Sequence, residues 1–168
     1  MKWWFKGSFL TVLMRYIHWA AIAAGILLGL VFFVAGLGKL PVQTEAYMTI
    51  FGLHRALLFP TLANHIDTWL PRVELALGLL LMAGIATRLM TSFSSVLIAA
   101  FIFNNGWEIA RGAGENPCGC FGGNSFLGYL SNTQALYIDI GMLALVAVVL
   151  LWYPGNWLTA RPWFLKKS

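Results

Sequence analysis

The chain holds two cysteines, one residue apart, in the segment Asn116-Pro117-Cys118-Gly119-Cys120-Phe121-Gly122-Gly123. Two thiols this close can staple a loop, begin a metal site, or exchange electrons as a dithiol and disulfide. A bridge between them encloses only three residues, so it removes little chain entropy from the unfolded state and is a poor stability device. Gly119 lets the backbone bend toward the Cα separation of about 5.5 Å that disulfides prefer. A ring this small is expected to be strained and so easy to reduce. Structural zinc takes four ligands, whereas His54 and His65 stand far back in another segment. Cys-Gly-Cys is also not the pair separated by two residues of zinc and haem motifs, so no metal site is expected. Thiol–disulfide exchange at Cys118 and Cys120 is the chemistry the spacing favours.

Several charged residues lie inside or at the edge of apolar stretches, where charge is costly in lipid and is usually paired or functional. Glu74 and Asp139 each stand about a turn into such a stretch, Lys39 closes another, and Glu108 and Arg111 share a helix face by their three-residue spacing. Together they can form a polar floor beneath the cysteine loop. Two roles stay open for Glu74 and Asp139. One is a structural ion pair, with Lys39, Arg72 or Arg111 as the partner of Glu74. The other is a proton relay for thiol or quinone chemistry. His18 reads as an interfacial residue rather than a ligand. Phe32, Phe33, Phe93, Phe101 and Phe103 read as packing or lipid-facing side chains rather than a cofactor box.

The elements that must position these residues are membrane helices. Of 168 residues 60% are hydrophobic and 10% charged, with a mean hydropathy of +0.76, whereas soluble domains are nearer a quarter charged. So little polar surface excludes a soluble globular domain. The formal charge of +5 comes without a basic run, which argues against nucleic acid as a partner. Apolar stretches predict four spans at about 17–38, 70–87, 91–107 and 134–153. Pro71 is placed in the first turn of the second, where proline is tolerated. Residues 39–68 read as a sizeable loop with short helical pieces, and Arg88 as part of a short turn. Glycines and Pro117 make 106–133 a loop. Residues 1–15 read as an interfacial lead-in and 154–168 as a basic, aromatic tail, with Trp152, Trp157 and Trp163 in an aromatic belt.

Four crossings put both termini and the Arg88 turn on one side and the two long loops on the other. Lys2, Lys6, Arg15, Arg88, Arg161, Lys166 and Lys167 fall on the first side, against Lys39, Arg55, Arg72 and Arg111 on the second. The positive-inside rule makes the first side cytoplasmic. The expected fold is therefore an all-α integral membrane protein, a four-helix transmembrane bundle with two long loops on the exoplasmic side. In a bacterial inner membrane those loops face an oxidising compartment.

The glycine-rich helix motifs Leu28-Gly29-Leu30-Val31-Phe32, Ala35-Gly36-Leu37-Gly38-Lys39-Leu40, Pro71-Arg72-Val73-Glu74 and Leu77-Gly78-Leu79, followed by Pro117-Cys118-Gly119-Cys120-Phe121-Gly122, resemble the DoxX-like superfamily. The cysteine segment is similar to its MauE-like branch. The resemblance spans about 17–153 and implies a four-helix membrane bundle. It further implies a role in methylamine utilisation, where such proteins help form disulfides in a periplasmic dehydrogenase subunit, with Cys118 and Cys120 as the redox pair. Other DoxX-like proteins are subunits of a thiosulfate:quinone oxidoreductase.

Two functions compete. The first is a membrane thiol–disulfide or maturation protein that acts on a periplasmic or membrane partner and passes electrons to a quinone or a thioredoxin-like protein. Quinone is the only cofactor this expectation leaves open. One cysteine pair, rather than two, then requires either direct quinone contact or a second protein. The second is a non-catalytic accessory subunit of a respiratory, photosynthetic or dehydrogenase complex. A transporter is disfavoured, because no span is broken by proline and the helices are not doubled.

Overall fold

The computed structural model describes residues 4–40, 60–122 and 126–153, with side chains over 12–40, 68–122 and 128–153. His54, Arg55, Trp157, Trp163 and the tail 154–168 lie outside the described residues. Among the described residues there are four long helices: α1 Trp4–Lys39, α2 Pro60–Ala83, α3 Thr87–Ala110 and α4 Asn132–Trp152, with a 3-10 turn Phe126–Tyr129 before α4. Among the described residues there is no strand, only an isolated bridge between Pro117 and Ser131. Three stretches of the described residues, Val12–Lys39, Thr87–Ala110 and Asn132–Trp152, are long and apolar enough to cross a membrane.

The helices differ from the expected boundaries in physically simple ways. α1 runs without a break from Trp4, with no proline before Lys39 to interrupt it. Residues 4–15, expected as a lead-in, are its first turns, and the stretch long and apolar enough to cross a membrane begins at Val12. Of the segment 39–68 expected as a loop, the part from Pro60 on is helical, since α2 starts there, and α2 carries Pro71 in its interior. Proline there removes one backbone bond from the ladder, and the Arg72 guanidinium donates to the Thr68 carbonyl at 3.3 Å on the same turn. The connection between α2 and α3 is 84–86, and Arg88 already lies in the first turn of α3.

α1 and α2 pack backbone to backbone. A Cβ at Gly78 would lie 2.6 Å from the Phe33 nitrogen and 2.7 Å from the Gly29 carbonyl oxygen. One at Gly36 would lie 2.8 Å from both Leu75 N and Pro71 O. Small residues let two helix backbones approach this closely, and such contacts supply packing that holds α1 to α2. Leu28, Phe32, Leu81, Ile98, Met142 and Val146 from all four helices form the central core.

The end of α3, the start of α4 and the end of α1 meet at one end of the bundle. Ser131 caps α4 with a full capping box, its hydroxyl accepting from Gln134 N while the Gln134 side chain accepts from Ser131 N. The preceding loop is stitched to that cap. Asn132 N donates to Asn116 O at 3.0 Å, Asn132 Nδ2 to Ala113 O at 2.7 Å, and Thr133 N to Gly114 O at 3.1 Å. The far side of the loop rests on α1: a Cβ at Gly122 would run into the Gly38 carbonyl, and φ there is +79°, which only glycine adopts freely.

Candidate functional site

The cysteine pair sits on this stitched loop. Cys118 N donates to Leu130 O at 2.9 Å, which ties the first cysteine to the approach to α4. Gly119 takes φ +64° and turns the chain back on itself, so the Cα atoms of Cys118 and Cys120 lie 5.2 Å apart with their sulfurs within bonding reach. That separation is inside the range disulfides occupy. Cys118 is 4% exposed, and its sulfur accepts the Cys120 N–H at 2.9 Å. Cys120 is half-buried.

Beneath the loop the bundle is polar. Asn105 of α3 donates through Nδ2 to Asp139 Oδ2 of α4 at 2.8 Å, and Asn105 Oδ1 lies 3.8 Å from the Cys120 sulfur. Lys39 at the end of α1 binds both carboxylate oxygens of Glu74 in α2, at 2.6 and 2.8 Å, with its ammonium 5.2 Å from the centre of the Phe101 ring. Lys39, Glu74, Asn105 and Asp139 are all buried. Between the two tied pairs is a cavity of about 20 Å³, room for one water, whose walls include Glu74, Asp139, Cys120, Phe121, Phe101 and Met142.

The sequence candidates separate accordingly. Cys120, Glu74 and Asp139 face one cavity, and Glu74 has Lys39 as its ion-pair partner. Arg72 is exposed and lies over the Trp69 ring at 5.2 Å. Glu108 and Arg111 stand at the end of α3, Arg111 exposed, and neither lines the cavity. His18 is half-buried within α1, away from the pair. Among the described residues no group of histidine, cysteine and carboxylate side chains could hold a metal ion. Asn105 is the site residue that sequence reasoning passed over. The signal was an amide inside an apolar helix, which has to find a polar partner once buried.

A family model described as methylamine utilisation protein MauE matches residues 17–153. The chain belongs to the MauE family. No curated protein and no solved structure matches it. The matched region starts in α1 and ends just past α4, so it takes in every residue of the cavity and both cysteines. With three helices long and apolar enough to cross a membrane, this MauE-family chain is a multi-pass membrane protein.

Proposed function

We propose that this MauE-family protein is a membrane thiol–disulfide redox or maturation factor that works through Cys118 and Cys120. The observation that carries this is the placement of the only two cysteines of the chain: their sulfurs meet on a glycine turn at one end of the bundle, against a buried Asn105–Asp139 pair. In one turnover a partner's dithiol loses two electrons and two protons as its sulfurs join, and the Cys118–Cys120 disulfide takes up both to become a dithiol. A membrane quinone or a thioredoxin-like protein then accepts the same two electrons and two protons and restores the bridge. The cavity has room for a water-sized molecule and not for a quinone ring, so a quinone would meet the pair from outside it.

In this proposal all four helices cross the bilayer in the manner of the DoxX-like superfamily, with cytoplasmic termini and the cysteine loop in the periplasm. The excess of Lys and Arg on the terminal side supports that orientation. Of the two carboxylates, Glu74 is engaged by Lys39 through both oxygens, which suits a packing role. Asp139 reaches the sulfur through one amide, which suits a role in the chemistry.

The burial of Cys118 favours a second reading, an accessory subunit in which the bridge is permanent. Alkylation-shift analysis of intact cells separates the two. A redox factor converts to the dithiol under mild reductant and recovers when it is removed, and its Cys118→Ser, Cys120→Ser double variant loses partner maturation. Full function in that double variant would leave the accessory subunit standing.

A further inference from the structure

The two sulfurs occupy unequal surroundings. Cys118 Sγ receives a backbone N–H, an interaction that favours a thiolate. Cys120 Sγ faces Asn105 Oδ1, an acceptor that only a protonated thiol can satisfy. The direction of that amide is not free. A carboxylate only accepts hydrogen bonds, so Asp139 requires the Nδ2 end of Asn105 and thereby turns Oδ1 toward the sulfur. Accessibility runs the same way, since Cys118 is buried and Cys120 half-buried.

We propose that exchange at this pair is directional: the partner's thiolate attacks Cys120, Cys118 leaves, and Asn105 oriented by Asp139 is the positioning residue that sets the choice. This rests on the redox function proposed above. In the first step the partner's sulfur bonds to Cys120 Sγ as the Cys118–Cys120 bond breaks, and Cys118 departs as a thiolate held by the Cys120 N–H. The more acidic thiol is the better leaving group. In the second step the partner's other thiolate attacks its own bound sulfur, the mixed disulfide breaks, and Cys120 takes up a proton and donates it in a hydrogen bond to Asn105 Oδ1. The partner has lost two electrons and the pair has gained them, so no other oxidant enters.

The test uses the full-length oxidised protein in lipid nanodiscs, treated with glutathione, quenched with N-ethylmaleimide and mapped by fragment-ion mass spectrometry. Glutathione is expected on Cys120 and maleimide on Cys118, in an excess of about fivefold, the size of effect one hydrogen bond produces. Asn105→Leu and Asp139→Asn bring the ratio close to one, the latter because the freed amide can turn its Nδ2 toward the sulfur, while Asp139→Glu keeps the preference. Equal labelling, or glutathione mainly on Cys118, in the unaltered protein overturns the direction while leaving the pair redox-active. A preference that survives both Asn105→Leu and Asp139→Asn overturns the role of Asn105. No adduct on either cysteine overturns the redox function as well.

Discussion

Replacing Lys39 with Met, or Glu74 with Leu, strands one member of a pair that is 2% and 0% exposed at the side chain. The stranded group is cut off from bulk water, and removing one partner of a buried pair costs roughly 3–5 kcal/mol. Lys39→Met and Glu74→Leu should therefore each destabilise the bundle by about 3–5 kcal/mol. The Lys39→Met, Glu74→Leu double variant, with no charge to bury, should return to within about 1 kcal/mol of the parent. Unfolding in mixed micelles followed by tryptophan fluorescence reads all three. Single variants within about 1 kcal/mol of the parent, or a double variant as unstable as the singles, would refute the assignment of this pair as a buried ionic tie.

Glycine substitutions probe the packing. Gly78→Ala sets a methyl against the backbone of Phe33 and Gly29, which cannot rotate away, and should cost about 1–3 kcal/mol in the same unfolding assay. Gly141→Ala meets nothing within 4 Å and should stabilise by up to about 1 kcal/mol through helix propensity; equal effects at the two sites would contradict close α1–α2 contact. Gly122→Ala loses both the positive φ and the approach to Gly38, and should lift the cysteine loop off α1, raising the rate at which reduced Cys118 reacts with maleimide. An unchanged rate would mean that the loop is held by its stitches to α4 alone.

The membrane character and most of the helices were legible because an apolar run sustained over about 20 residues matches the thickness of a bilayer and little else. The start of α2 was not. Residues 60–69, with Asn64, His65 and Asp67 among apolar neighbours, are helical without being apolar enough to read as a span. Pro71 then looks like a beginning, although it lies in mid-helix. The ion pair was legible as a set of options for Glu74, but choosing Lys39 over Arg72 or Arg111 needed the register of α1 against α2, and that register is fixed by Gly29, Gly36 and Gly78 meeting a backbone the sequence does not identify. Asn105 escaped because its meaning depends on two long-range neighbours, Asp139 and Cys120.

The placement of the polar residues separates a structural origin from a chemical one. Among the described residues the buried charged side chains are Lys39, Glu74 and Asp139, and all three gather beneath the cysteine loop. Lys39–Glu74 ties α1 to α2, Asn105–Asp139 ties α3 to α4, and the loop rests through Gly122 on the backbone of Gly38 and Lys39 and brings Cys120 to Asn105. Stability alone does not account for this, because well-packed apolar residues replace a buried ion pair at little or no cost. A bundle needing only cohesion could also spread its polar contacts along its length. The Lys39→Met, Glu74→Leu double variant therefore carries a second readout besides its stability. If it folds as well as the parent but forms the glutathione adduct more slowly or with a lower preference for Cys120, the charges serve the sulfurs. If both rate and preference are unchanged, Lys39 and Glu74 only join two helices, and Asn105 with Asp139 is left as the side-chain pair that acts on the sulfurs.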